Sequence, residues 1–262
     1  MNIRVLNVSA MFGILVTQLM SQGTPGVDVK ISLADTSVCF HEPLQILLSV
    51  SNPGDRNIAT NFGRRSEEFI RIASRRPGGQ WSEGKQPLRS GFAGLGIVRL
   101  SPGEQKSIIL IADKWIGSLP EGPYQLKVIL HAPATDRSWD PPEGLELARQ
   151  IDQESVFEFR VNAPCPARLA ELANSDVATI LGSDSVQNKQ RASEHLSYID
   201  DDVAIPYMER AIIPNSIGNR DIVDGLERIG DERAKEALTR LSTNPDPNIA
   251  AYARQKAGPR YR

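Results

Sequence analysis

The chain has 262 residues, with 30 Lys+Arg against 32 Asp+Glu, 40% hydrophobic residues and 24% charged residues. That composition excludes wholesale disorder and a multi-span membrane protein, and the length suffices for two modest cores. A formal net charge of -2 removes the usual ground for a nucleic-acid partner, because phosphate binding needs a clear excess of Lys and Arg on one face.

In chain order, the first feature is Arg4 followed by a mostly apolar stretch, Val5 to Met20, and then Ser21-Gln22-Gly23. One early basic residue, a medium apolar run and small residues at the cleavage position make residues 1–23 a signal peptide, cut near Gly23. An N-terminal anchor is the competing reading, but Asn7, Ser9, Thr17 and Gln18 interrupt a run already short of the ~20 apolar residues that span a bilayer. The expected mature protein is therefore exported, periplasmic or extracellular, with no membrane span.

Residues 24–163 read as strands. Alternating or β-branched runs recur at Val27 to Leu33, Leu44 to Ser51, Glu68 to Ala73, Gly96 to Leu100, Gln105 to Ile111, Tyr124 to Ala132 and Ser155 to Asn162. Between them lie Asn52-Pro53-Gly54-Asp55, Pro77-Gly78-Gly79, Ser101-Pro102-Gly103-Glu104 and Glu121-Gly122-Pro123, which supply the fixed and positive φ values of tight reversals. Seven short runs separated by turns predict an all-β sandwich. The stretch Pro133 to Glu154 is long for a connection, and long ordered loops are often functional.

Past Ala163-Pro164 the hydrophobic period changes to about 3.6. Helices are predicted at Pro166 to Leu181, Val186 to Ile199, Val203 to Ile212, Arg220 to Ile229, Glu232 to Leu241 and Asn248 to Ala257, giving a helical region over 164–258 and a tail at 259–262. Ala192, Leu196, Ile199, Asp201, Ala204, Met208 and Arg210 align with Ile222, Leu226, Ile229, Asp231, Ala234, Leu238 and Arg240 at a constant offset of 30. Each copy is a helix pair whose turn Asp caps the second helix.

Two resemblances follow from these residues. The segments Glu42-Pro43-Leu44 leading to Val50-Ser51-Asn52, Leu100-Ser101-Pro102-Gly103-Glu104, and Gly122-Pro123-Tyr124-Gln125-Leu126-Lys127-Val128 resemble the immunoglobulin-like domains of secreted bacterial proteins. They are also similar to small bacterial proteinase-inhibitor sandwiches. The segments RASEHLSYIDDDVAIPYMERA and RDIVDGLERIGDERAKEALTRL resemble HEAT-like repeats of the short variety. Together they imply an all-β immunoglobulin-like sandwich followed by all-α HEAT-like helical repeats. In an immunoglobulin-like sandwich the first and last strands can run parallel, so their C-terminal ends meet; this predicts a disulfide between Cys39 and Cys165. The alternative is two small buried side chains without a bond.

No catalytic signature is present in the sequence, and no Cys or His pair has zinc-ligand spacing, so no metal or cofactor is expected. His41, His131 and His195 fall in a turn, a strand end and a helix, and His195 is expected in a groove or on the surface. Within Asp200-Asp201-Asp202, helix capping accounts for at least one carboxylate better than a cation does. Trp81 and Trp139 lie in polar loops rich in Gly or Pro, where exposed aromatics mark recognition surfaces; rings folded back over the sheet are the alternative. Trp115 is expected to pack beneath a turn.

The expected function is non-enzymatic protein binding or scaffolding, through loops bearing Trp81 and Trp139 and through a helical face bearing Glu194, Tyr198, Arg210, Arg228 and Arg240. A proteinase inhibitor acting through the sandwich loops is the competing expectation.

Overall fold

The computed structural model describes residues 26–61, 69–85, 97–135 and 149–258. The signal-peptide segment, Trp139 and most of the long Pro133 to Glu154 connection lie outside the described residues.

Among the described residues, ten strands come first along the chain. They are β1 (Asp28–Leu33), β2 (Ser37–Phe40), β3 (Gln45–Ser51), β4 (Ile58–Asn61), β5 (Ile70–Arg75), β6 (Ser82–Glu83), β7 (Ile97–Leu100), β8 (Gln105–Ile111), β9 (Gly122–Thr135) and β10 (Arg149–Pro164). A single helical turn, α1 (Asp113–Ile116), lies between β8 and β9. The helices then follow: α2 (Pro166–Gly182), α3 (Val186–Ser197), a 3-10 turn at Asp202–Ala204, α4 (Ile205–Ala211), α5 (Asn219–Ile229), α6 (Glu232–Leu241) and α7 (Pro247–Ala257).

Alternation places the strands. On β9, Tyr124, Leu126, Val128, Leu130, Ala132 and Ala134 are all buried while Gln125, Lys127, Ile129 and His131 between them are more exposed, so one face of a long strand is apolar throughout. β9 pairs with β10 from Gly122 to Ala134 on one edge and with β5 and the end of β4 on the other, building a curled seven-stranded sheet with β2 and β7 at its ends. β1, β3 and β8 form a separate antiparallel sheet whose Ile46, Leu48 and Val50 face the same core. Asn52 knits the turns together: its Nδ2 donates to the Arg56 and Leu100 carbonyls at 2.7 and 3.1 Å, and its Oδ1 accepts from the Gly54 N–H at 3.0 Å.

The structure corrects the expected fold class. It is a mixed α/β structure with strands N-terminal, helices C-terminal and a half-barrel sheet, rather than an immunoglobulin-like sandwich followed by HEAT-like repeats. Turn chemistry and alternation specify local reversals and not the partition of strands between sheets; strands as long as β9 and β10 coil with their twist, and the sheet curls. The constant offset of 30 reflects a recurring capped turn. Asp201 and Asp231 each accept a backbone N–H of the following turn, from Val203 at 3.0 Å and Ala234 at 2.7 Å. The helices they precede differ, one beginning as a 3-10 turn before the seven residues of α4, and α2 packs across both α3 and that turn.

The two kinds of structure also share cores. Cys39, on β2, is buried among Leu169, Ala173 and the other side chains of the helical core. It is bonded to Cys165, the residue between β10 and α2. β2 runs parallel to the last residues of β10, with Cys39 opposite Asn162. Glu42 reinforces the seam: its carboxylate accepts from the Cys39 N–H at 2.8 Å and from Arg168 at 2.7 and 3.0 Å, while Arg168 also reaches Asp35. With β10 extending to Pro164 and α2 starting at Pro166, strand and helix are joined by Cys165 alone. Among the described residues, no helix is long and apolar enough to cross a membrane.

Candidate functional site

The chemistry-bearing side chains converge where α1 meets the helices α3 and α5. α1 is a corner: the Asp113 carboxylate accepts the Leu44 N–H at 2.8 Å, and Trp115 is buried in the strand core at 3% exposure. The Trp115 carbonyl accepts from the Lys85 N–H at 2.9 Å, and among the described residues the indole Nε1 has no hydrogen-bond partner. The residue between them, Lys114, faces the helices and forms an ion pair with Glu194 of α3.

One turn further along α3, Tyr198 lies under Arg228 of α5, whose guanidinium sits 3.9 Å from the ring centroid. Arg228 also donates to the Ser197 carbonyl at 2.5 Å. The close approach depends on Gly225, since a Cβ there would lie 2.8 Å from both the Ser197 Cα and its carbonyl oxygen. On the far side of α5, Lys256 of α7 bridges Asp224 and Glu227 at 2.8 and 2.7 Å, and Tyr252 donates to Asp224 at 2.8 Å.

Burial sets the electrostatics of this seam. It pushes the Asp113 carboxyl from 3.8 up to about 7, against the opposing pull of the Leu44 N–H. Asp221, in the first turn of α5, is also pushed to about 7 by burial, and the neighbouring Glu194 carboxylate adds to the effect. Asp200 and the Tyr198 phenol are raised chiefly by burial as well. Beneath α1 lies a cavity of about 20 Å³ touched by His41, Glu42, Leu44 and Asp113. That is room for one water and not for an organic substrate.

The structure therefore splits the residues expected on one helical face. Glu194, Tyr198 and Arg228 are together at the seam. Arg210 and Arg240 belong to α4 and α6, the other helices of each pair: Arg210 is exposed with its guanidinium 5.9 Å from the Tyr207 ring, and Arg240 pairs with Glu209 at 2.8 and 3.1 Å. Trp81 is half-buried on the outer face of the sheet, resting over Arg75 at 4.3 Å and Lys127 at 4.8 Å. His195 is held by Asp176 at 2.6 Å and is largely covered, not a groove residue. His131 contacts Asp152 on the exposed sheet face. Among the described residues, no group of His, Cys, Asp or Glu is arranged to hold a metal ion.

Sequence reasoning missed Asp113, Lys114 and Asp221. A one-turn helix leaves no periodicity, and Asp221 in isolation reads as an ordinary first-turn acid.

No family model matches the chain, and no curated protein matches it. Solved structures give distant likenesses. A β-glucosidase from Listeria innocua is 14% identical over 53% of this chain, with a TM-score of 0.26, and only 16% of the enzyme's length is spanned. The chaperone–tip adhesion subunit complex of Acinetobacter baumannii Csu pili gives 12% identity over 52% of this chain and 57% of that one, with a TM-score of 0.29. The complex of zinc 2-glycoprotein with prolactin inducible protein from human seminal plasma gives 11% identity over 54% of this chain and 99% of that one, with a TM-score of 0.28. Likenesses at these scores carry neither a shared fold nor a shared activity.

Proposed function

We propose that this is an exported, non-enzymatic protein-binding protein whose contact surface is the seam bearing Glu194, Tyr198 and Arg228. The observation that carries the reading is the Tyr198–Arg228 pair. Arg228 is exposed, yet it is fixed in place by the ring beneath it and by the Ser197 carbonyl. Tyr and Arg dominate binding hot spots, and a pair ordered before contact loses little side-chain entropy on docking. The leader-like segment at 1–23 and the Cys39–Cys165 disulfide support export, since such bonds persist in oxidising compartments.

The test is capture of partners from an envelope and secreted extract by the intact mature chain, compared with Tyr198→Ala, Arg228→Ala and Trp81→Ala variants. Loss of the same captured protein with the first two and retention with the third is the expected result. Retention with the first two refutes the seam as the contact surface. Loss only with Trp81→Ala moves recognition to the outer sheet face and favours a loop-mediated inhibitor.

A further inference from the structure

Strand pairing aligns the outward side chains of the large sheet into rows. β9 lies between β5 and β10, and its register with the two sets Arg71, Ile129 and Glu154 in one row. Ala73, Lys127 and Val156 form the next row, and Arg75, Gln125 and Glu158 the one after. Leu126, Val128 and Leu130 of β9 are buried in the core, so these rows belong to the opposite, outer face. The bases Arg71 and Arg75 therefore stand on β5 and the acids Glu154 and Glu158 on β10, two strands or about 10 Å apart.

Opposite charges stabilise a sheet from directly opposed places on adjacent strands, and this face holds them a strand too far apart. Gln125 spans one row, accepting from Arg75 at 2.8 Å and donating to Glu158 at 3.2 Å. In the other, the side chain between Arg71 and Glu154 is Ile129, which bridges nothing. Arg71 and Glu154 are both exposed, and among the described residues neither makes an ion pair. Between the columns lies apolar surface, with Val156 49% exposed.

We propose that this outer face is a homodimer interface, on which a second copy of the chain packs the same β5–β9–β10 face about a twofold axis parallel to β9. That axis lays the basic column of each copy on the acidic column of the other and keeps the rows level. Arg71 then meets the partner's Glu154 and Arg75 the partner's Glu158, and each contact is made twice. A twofold axis running across the strands would set β5 on β5 and β10 on β10, like charge on like, so the charge pattern selects one orientation. Sheets packed face to face lie about 10 Å apart, within the combined reach of an Arg and a Glu side chain. Lys127 stands on β9, under the axis, but its Nζ leans to the β6 side, 4.8 Å from the Trp81 ring, and so away from its own copy. A face this narrow, held by exposed ion pairs, associates weakly and is loosened by salt.

The dimer uses none of the residues of the seam, so its test is independent of the proposed function. Sedimentation equilibrium of the intact mature chain, at up to about 0.5 mM protein and at about 0.05 M and about 0.5 M salt, measures the association constant. A monomer–dimer equilibrium is expected at low salt, weakened about tenfold or more at high salt. Arg71→Glu and Glu154→Arg each oppose like charges in both halves of the interface, and each should lower the constant about tenfold or more. An equimolar mixture of the two variants regains opposite charges at both contacts, as does the Arg71→Glu/Glu154→Arg double variant with itself, and both should associate like the parent. Lys30→Glu, at an exposed position on β1 in the other sheet, changes the net charge as much as Arg71→Glu does and should leave association unaltered. Circular dichroism of each variant checks the fold. A parent that stays monomeric at low salt, single reversals that associate like the parent, or a mixture and a double variant that both fail to associate would each overturn the proposal.

Discussion

Gly225→Ala tests the close approach of α3 and α5 on which the seam depends. Helix propensity alone predicts stabilisation of about 1 kcal/mol, because Ala is the better helix former. The geometry predicts the opposite sign. The added Cβ would lie 2.8 Å from the Ser197 Cα and carbonyl oxygen and 3.1 Å from its Cβ, so two backbones must part by about half an ångström to reach ordinary contact. Overpacking of this kind costs about 1–3 kcal/mol, and the displaced carbonyl is the one that holds Arg228, so weakening that bond adds about 1 kcal/mol. The expected net loss is about 1–3 kcal/mol, read as a lower urea midpoint at unchanged slope. Gly182→Ala is the control, since a Cβ at the end of α2 meets nothing within 4 Å and its φ is ordinary; that variant should be neutral or slightly stabilised. A Gly225→Ala protein as stable as the Gly182→Ala protein would refute the close-packing argument.

Three further outcomes are expected. Replacing both Cys39 and Cys165 with Ser opens a loop of 126 residues and should cost about 2–5 kcal/mol in chemical denaturation, and a loss under 1 kcal/mol would show that the noncovalent seam alone confines the chain. Asn52→Ala leaves the Arg56 and Leu100 carbonyls and the Gly54 N–H without their side-chain partner at a fully buried position; a loss of about 3 kcal/mol is expected by thermal or urea unfolding, and a change below 1 kcal/mol would contradict it. Asp231→Ala removes the cap on the Ala234 N–H and should cost about 1 kcal/mol, whereas Asp231→Asn should retain most of it; equal losses in the two would assign the effect to charge instead.

The elements were largely legible and their assembly was not. β3 and β9 announce themselves by alternation and β8 by its aliphatic run Ile108 to Ile111, and α6 was placed at its observed ends from its capping Asp and apolar stripe. β2 gave no signal, because four residues pair with a strand end more than 120 positions away and local sequence carries no trace of that register. The change from strand to helix expected at Ala163-Pro164 falls where β10 ends and α2 begins. At the site, Tyr198 and Arg228 occupy equivalent places 30 residues apart, and that correspondence brings them into contact on adjacent helices. Arg210 and Arg240 share the offset too, but they lie on α4 and α6. Charge and spacing identified the side chains; which way each helix faces was decided by packing against α1 and the strand core.

The parallel pairing of β2 with the end of β10 orders events in time. A chain emerging from a ribosome or an export channel presents residues 37–40 long before residues 160–165, so this edge strand has no neighbour until nearly two thirds of the protein has appeared. Until then Cys39 has no disulfide partner, because Cys165 lies 126 residues further on. Cys165 and Arg168, which bonds Glu42, lie close together in the chain, so the sheet edge and the first helix are fastened at one place. A chain truncated before Cys165 lacks the partner of Cys39 and cannot form this bond.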